Sequence, residues 1–184
     1  ILMDNQNYFA EIARKQLEAC EEAKEISNIT YKKYVCFMLN EQEYGIDIEY
    51  VQEITEICYI RKIIFTPSFL LGVMNLRGSI IAVIDLKQLF NLGITDLKNK
   101  NARIIINKHS NKTIAFAVDG IRKIREIANN EIQQPPPTFN EIKTEFVIGM
   151  YKTIENTLLV LLNFPEIMST KEILQLSGET IDDA

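Results

Sequence analysis

Four carboxylates stand where a pair could perform acid–base chemistry: Asp47, Glu49, Asp85 and Asp119. Two such groups, one protonated and one ionised, can hydrolyse a bond when they face each other across a cleft. Asp47 and Glu49, however, occupy the outward positions of an alternating strand pattern, and Asp85 stands at the N-cap of a predicted short helix. Solvated faces and caps account for these carboxylates, so we predict that the chain is not an enzyme.

The remaining reactive side chains build no catalytic or metal site. His109 is the only histidine, and the hydrophilic hairpin turn at residues 108–112 predicts a solvated imidazole. Cys20, Cys36 and Cys58 are odd in number and lack a C-x-x-C pair, so we expect reduced packing residues, with Cys36 and Cys58 buried in β-like runs. The sequence contains no phosphate-loop, dinucleotide-binding or calcium-loop motif. We therefore expect no cofactor and no metal.

Composition excludes two classes of partner. The net charge is -5 over 184 residues, which argues against nucleic acid because phosphate binding normally needs a basic face. The longest uncharged apolar stretches, residues 79–84 and 157–164, are far shorter than the ~20 residues that cross a bilayer. Glu11, Arg14 and Lys15 interrupt the start of the chain where a signal peptide needs an apolar core. We expect a cytoplasmic protein without direct membrane insertion.

A β pattern that occurs twice organises the chain. Residues 44–54 superimpose without a gap on residues 114–124, and residues 80–90 superimpose on residues 158–168. In each copy an alternating strand slips its phase by three residues, which predicts a bend, and a second, apolar strand runs into a short helix. Internal duplication predicts two small β units related by a pseudo-twofold axis, and generic β-sheet alternation is the alternative.

The chain divides into three regions on this pattern. We assign residues 1–29 to an N-terminal helical extension, residues 30–168 to the β domain, with subdomains at about 30–95 and about 100–165, and residues 169–184 to a C-terminal helix and tail. The extension contains an amphipathic helix candidate, residues 8–24, which we expect to dock on the body of the protein; the alternative is a helix offered to a partner. The residues expected to fill two similar cores are Ile46, Ile48, Ile81, Val83, Phe116, Val118, Leu159 and Leu161.

One motif remains unexplained by these assignments: residues 72–78, in which Asn75 and Arg77 lie between two glycines ahead of a buried strand. Residues 66–86, which contain this motif, closely resemble the signature of CheW, the family of bacterial chemotaxis adaptors. Three further segments match the family in the same order, and the resemblance covers roughly residues 33–168. They are residues 43–48 with 51–54, residues 117–121, and residues 135–137 with 146–149.

The resemblance implies a fold and a set of partners. Family members consist of two five-stranded, SH3-like β-barrels around a shared core, and they are not enzymes. They couple the histidine kinase CheA, through its regulatory domain, to the cytoplasmic tip of methyl-accepting chemoreceptors. The resemblance therefore implies a mainly β, CheW-like fold with short helices and a non-catalytic bridging role. An adaptor of the same fold that serves another kinase pathway, such as surface motility, and a carboxylate-dependent hydrolase are the alternatives.

The family motifs also supply the candidate site. The residues expected to contact the kinase or the receptor are Val51, Glu53, Ile54, Asn75 and Arg77. We expect Glu53 and Arg77 to lie close together and partly exposed, as an ion pair that contributes only about 0 to 1 kcal/mol to folding because solvent screens it. The glycines expected at turns or bends are Gly72, Gly78, Gly120 and Gly149.

Overall fold

The computed structural model describes Lys15 and residues 28–176. The helix expected at residues 8–24 lies outside the described residues except for Lys15, which is helical and exposed. The described strands are β1 Tyr31–Leu39, β2 Gln42–Asp47, β3 Val51–Glu56, β4 Leu70–Leu76, β5 Ser79–Asp85, β6 Arg103–His109, β7 Lys112–Val118, β8 Gly120–Ala128, β9 Val147–Lys152 and β10 Leu158–Leu162. The described α-helices after the N-terminal region are α1 Leu86–Leu89, α2 Phe164–Met168 and α3 Lys171–Leu176.

The strands form two five-stranded sheets of the same design. The first sheet has the order β8-β1-β2-β10-β9, and the second has the order β3-β6-β7-β5-β4. Beyond β3, the backbone of Arg61 exchanges hydrogen bonds of 2.8 and 2.9 Å with Val73 on β4, and Gln133, beyond β8, does the same with Met150 on β9. These bridges join the two outer edges of each sheet and close it into a barrel. The predicted mainly β fold with two five-stranded barrels is confirmed.

The internal duplication is visible in both strand order and register. The first half supplies β1 to β5 and α1, and the second supplies β6 to β10 and α2. Replacing each strand of the first sheet by its copy reproduces the order of the second sheet. The registers agree as well, since Val160 lies opposite Tyr44 in one sheet and Ala82 lies opposite Ile114 in the other. The predicted internal duplication is therefore confirmed in strand order and register.

The subdomain boundary expected near residues 95–100 does not separate the two barrels. Each barrel combines two strands of one half with three of the other, so the first sheet places β1 and β2 beside β8, β9 and β10. The cause lies in the short connections after the second strand of each half. Ile48–Tyr50 links β2 to β3, and Asp119 alone links β7 to β8. Connections this short carry the chain directly from one sheet onto the other.

Three apolar clusters fill the described part of the chain, where two were expected. The largest takes side chains from both sheets and lies between the barrels, and the two smaller clusters are the barrel interiors. The shared cluster contains Ile46, Phe116 and Val118, one interior contains Ile81 and Val83, and the other contains Leu159 and Leu161. Ile48 was wrongly placed in a core, because it begins the 3-10 turn between β2 and β3 and is exposed.

Candidate docking site

β3 is an outer strand of the second barrel and carries three of the candidate site residues. Its register on β6 shifts between Val51 and Glu53, and this bulge places Val51 and Ile54 on one face, opposite Asn107 and Ile105. Val51 packs against the shared core, whereas Ile54 is 39% exposed. The apolar face of β3 is therefore buried against the shared core at Val51 and exposed to solvent at Ile54.

The turn between β4 and β5 supplies the other two candidate residues. Leu76 pairs with Ser79, which leaves Arg77 and Gly78 as a two-residue loop with φ angles of 50° and 92°. Positive φ at both central positions is the type I′ geometry that suits a tight hairpin. Asn75 Oδ1 accepts a hydrogen bond from the Gly78 amide at 2.8 Å. Asn75 thus shapes the turn from which the Arg77 side chain projects.

Glu53 and Arg77 form the expected ion pair. Arg77 Nη2 lies 2.5 Å from Glu53 Oε2, with the Arg77 side chain 75% exposed and that of Glu53 27% exposed. A left-handed backbone conformation costs a non-glycine residue on the order of 1 kcal/mol, and an exposed ion pair contributes only about 0 to 1 kcal/mol. Folding stability alone therefore does not explain why an arginine occupies this position.

The equivalent position of the first barrel carries an ion pair of reversed polarity. Lys123 is the copy of Glu53, and Glu155 is the copy of Arg77, at the same offsets that relate the paired strands. Lys123 Nζ lies 3.2 Å from Glu155 Oε1, and Arg125 adds a second cation at 3.4 Å. A backbone hydrogen bond, followed by the Lys123 ammonium, lowers the pKa of Glu155 to about 2. The aligned segments include Glu53 and Lys123 but end short of Arg77 and Glu155, so the sequence analysis missed this reversal.

The carboxylates considered for acid–base chemistry have structural partners. Asp47 was expected to face outward but is buried, because the end of β2 is covered on both faces. It accepts hydrogen bonds from Lys32 Nζ at 2.9 Å and from the Glu49 amide at 3.0 Å. The bond to Asp47 in turn raises the pKa of Lys32. Glu49 is exposed, as expected.

Asp85 and Asp119 are engaged in the same way. Asp85 caps α1 as expected, accepting hydrogen bonds from the Lys87 amide at 3.0 Å and from the Thr95 amide and hydroxyl at 2.9 and 2.7 Å. Asp119 accepts hydrogen bonds from Lys87 Nζ at 3.1 Å and from the Asn40 amide at 2.7 Å. These contacts give the carboxylates caps and ion pairs, and so give no support to a hydrolase.

Two reactive side chains lie in surroundings other than those expected. His109 ends β6 half-buried, with its ring edge-on to Tyr50 and Phe164 at centroid distances of 5.4 and 6.1 Å. It is a packed side chain and not a solvated turn residue. Cys36 is buried as expected, and burial raises its pKa to about 11. Cys58 is exposed, because it lies beyond the end of β3 on the surface.

Three of the candidate glycines serve close approach between segments. Gly72 has a φ of +141°, and a Cβ there would overlap the carbonyl oxygen of Arg61. Its copy, Gly149, approaches the equivalent bridge, where a Cβ would lie 2.8 Å from the carbonyl oxygen of Gln133. Gly120 opens β8 next to the backbone of Asn101, which lies in the connector before β6. The bridges that close the barrels thus depend on the absence of a side chain.

The described part of the chain contains no cluster of three or more histidine, cysteine or acidic side chains that could hold a metal ion. Among the helices that the structure describes, none is long and apolar enough to span a membrane.

Two barrels built from duplicated halves, with apolar and charged side chains on an exposed outer edge, define a paired β-barrel protein. The profile of the CheW-like domain matches residues 33–172, and the chain belongs to this family. It is 29% identical over 143 residues to chemotaxis protein CheW of Klebsiella aerogenes, across 77% of this chain and 84% of that protein. It is 29% identical over 148 residues to chemotaxis protein CheW of Treponema pallidum, across 78% and 86%.

A solved structure has the same fold. The crystal structure of the scaffolding protein TtCheW from Thermoanaerobacter tengcongensis superimposes with a TM-score of 0.69 and 37% sequence identity. The match covers 78% of this chain and 91% of that one. The resemblance seen in the sequence motifs is therefore confirmed as family membership.

Proposed function

We propose that this chain is a chemotaxis adaptor that couples the histidine kinase CheA to methyl-accepting chemoreceptors and catalyses no reaction itself. Its family membership and its similarity to proteins named for chemotaxis and scaffolding support this role. The observation that carries the proposal is the exposed Arg77, held at a positive φ beside Glu53. This arrangement has a cost to folding that the screened ion pair at most offsets, as expected of a residue kept for binding.

The proposed docking surface combines apolar contact with charge. Ile54 extends the apolar face that Val51 anchors in the core, and Arg77 and Glu53 flank it with one charge of each sign. Asn75 holds the turn that presents the arginine. Such an edge suits a helix that brings an apolar stripe bordered by carboxylates, or another barrel that pairs with the outer strand. The helical receptor tip and the like-folded regulatory domain of CheA are partners of these two kinds.

In this role the protein acts through geometry. Binding kinase and receptor at the same time raises the effective concentration of each at the other. Contacts that are stronger in one kinase arrangement shift the kinase population toward it. The role requires no cofactor and is carried out in the cytoplasm at the receptor tips.

Replacing Arg77 tests the proposal. Arg77→Glu removes a screened ion pair and sets two carboxylates side by side, so the melting temperature should fall by no more than about 2 to 4 °C. Binding to the CheA regulatory domain or to a receptor-tip fragment should weaken at least ~10-fold, or about 1.4 kcal/mol. Calorimetry and a pulldown with the cognate fragments measure the two effects. A wild-type chain that binds neither fragment would contradict the proposed function.

The charge-swapped double variant is the matched control. Glu53→Lys with Arg77→Glu restores the ion pair in the polarity that Lys123 and Glu155 have in the first barrel. The swapped protein should regain any lost stability yet still bind weakly, because the partner meets the wrong charge. Recovery of full binding would show that binding requires only an ion pair between positions 53 and 77, in either polarity. A large stability loss with normal binding per folded molecule would give Arg77 a structural role instead.

A further inference from the structure

Within residues 28–176, the first barrel has an exposed apolar surface next to residue 28. Ile121 and Ile124 on β8 pair with Phe37 and Val35 on β1, and both β1 residues face the shared core. Paired residues of an antiparallel ladder project to the same side, so Ile121 and Ile124 extend the core face. Ile121 packs on the core, but Ile124 is 57% exposed.

Tyr31 continues this surface. It lies four positions before Val35 on β1, and side chains at even spacing along a strand share a face. Its ring is 65% exposed. We call Tyr31, Ile121 and Ile124 the first-barrel shelf. The equivalent positions of the second barrel are Asn101, Val51 and Ile54, by the same offset of 70 residues.

The N-terminal segment enters the described structure at this shelf. The Thr30 amide donates to Asn129 Oδ1 at 3.1 Å, the Asn129 amide donates to the Thr30 carbonyl at 2.9 Å, and Asn129 Nδ2 donates to the Asn28 carbonyl at 3.3 Å. These bonds hold the chain beside the end of β8 up to residue 28. The 27 preceding residues therefore join the described chain four positions before Tyr31, on the edge that carries Ile124.

The sequence of that segment complements the shelf. Its apolar residues recur at helical spacing within residues 8–24: Phe9, Ile12, Ala13, Leu17 and Cys20. Lys15, which projects to the opposite side of such a helix from Leu17, is helical and exposed. Residues 1–27 contain six carboxylates and three cations, whereas β8 presents the exposed Arg122, and Lys123 in its ion pair with Glu155, beside Ile121 and Ile124. A 17-residue helix spans about 26 Å, enough to cover the ~20 Å from Tyr31 to Phe37.

We propose that residues 8–24 fold back as a helix onto the first-barrel shelf of the same chain. The helix sets Leu17 and Cys20 against Ile124 and Tyr31 and its carboxylates toward the cations of β8. It thereby covers one of two equivalent faces and leaves the face of Val51 and Ile54 open. A protein with pseudo-twofold symmetry then offers partners a single orientation. This last consequence rests on the proposed function, whereas the docking itself does not.

Crosslinking in the 184-residue chain tests the docking. In a Cys58→Ser background, Ile124→Cys should form an intramolecular crosslink to Cys20 with a short bismaleimide at least ~10-fold faster than Ile54→Cys. Ile54 is the matched control, because it occupies the equivalent position of the other barrel and is also exposed. The buried Cys36 does not compete, since its thiol is inaccessible. Non-reducing electrophoresis and peptide mass mapping identify the product.

Two further variants separate a docked helix from random encounter. Leu17→Glu should abolish the preference for position 124, because it places a charge in the apolar contact, whereas Lys15→Glu on the exposed side should leave the preference intact. Equal crosslinking rates at positions 124 and 54, or crosslinks that join two chains, would overturn the proposal. The crosslinking result does not depend on kinase or receptor binding. If the helix does not dock, the proposed adaptor function still stands, and if the chain binds neither partner, the helix docking can still hold.

Discussion

Gly72 sits where the second barrel closes. The residue occupies a backbone conformation that side-chain-bearing residues rarely adopt, and its α-carbon abuts the carbonyl of Arg61 in the closing bridge. A methyl group there meets backbone, which cannot rotate away as a flexible side chain could. The closure of the barrel therefore depends on glycine at this position for both steric and conformational reasons.

Gly72→Ala should lower the free energy of unfolding by about 2 to 4 kcal/mol, since it combines an unfavourable φ with a backbone overlap. Gly78→Ala is the matched control: its φ of 92° is also positive, but no atom lies within 4 Å of an added Cβ. The control should lose only about 1 kcal/mol. Urea denaturation of both variants measures the difference, and equal losses would rule out the overlap as the cause.

Cys36 and Cys58 should differ sharply in reactivity. Burial raises the pKa of Cys36 to about 11, so its thiolate is scarce at about pH 8 and the side chain is also closed to reagents. Cys58 is exposed and should be alkylated rapidly in the native protein, while Cys36 should react only when the domain unfolds. Pulsed alkylation of a Cys20→Ser variant, read by mass spectrometry, checks this. Rapid native labelling of Cys36 would contradict its placement in the barrel interior.

α1 is tied to both sheets by one ion pair. Lys87 is almost fully buried, and its Nζ lies 3.1 Å from Asp119 in the single-residue connection between β7 and β8. Asp119 also accepts a hydrogen bond from the Asn40 amide in the turn between β1 and β2. The pair therefore links a helix that follows the second sheet to a turn of the first.

Removing one partner of this pair should cost more than removing an exposed ion pair. Asp119→Ala leaves the Lys87 ammonium with little solvent and without its carboxylate, so we expect a loss of about 2 to 4 kcal/mol of unfolding free energy. Lys87→Met combined with Asp119→Ala should recover much of that loss. Glu126→Ala, which removes the exposed partner of Lys33, should stay within about 0.5 kcal/mol. Chemical denaturation of the wild type, the two single variants and the double variant measures the free energy of unfolding of each. If the losses of Lys87→Met and Asp119→Ala add up to that of the double variant, the two side chains are not coupled.

Local signals in the sequence predicted the strands but not their partners. Alternating apolar residues located β2 and β7 correctly, but these strands are buried on both faces along most of their length, which the alternation did not predict. The solvated state predicted for His109 was wrong because its neighbours Tyr50 and Phe164 are distant in sequence. The closeness of Glu53 and Arg77 was predictable only through the family motifs. The spacing of residues along the sequence does not show which side chains meet where the two outer strands of a sheet come together to close a barrel.

The exchange of strands between halves follows from connection length. β8 is the copy of β3, and it lies beside β1 in the first sheet. Because β8 and β2 are both antiparallel to β1, they run parallel to each other. If β3 took the place of β8, it would therefore have to run parallel to β2, the strand that precedes it. A parallel connection needs about a dozen or more residues. The chain supplies three, Ile48–Tyr50, in the first half and Asp119 alone in the second. Neither half can close its own barrel, and both barrels must be assembled from the two halves together.

Cutting the chain between Lys98 and Asn99, in the exposed connector before β6, tests this requirement. Each fragment alone should lack the dispersed amide spectrum of a folded monomer, because β2 and β3 of the first fragment lose β10 and β6, and β10 and β6 of the second fragment lose β2 and β3. Mixed in equal amounts, the fragments should restore one cooperative thermal transition, since β10 then pairs with β2 and β6 with β3. A fragment that forms a folded homodimer fits the same exchange, with two identical halves trading strands as the duplicated halves do. Sedimentation distinguishes the cases, and a fragment that folds as a monomer would show that a half can close by itself.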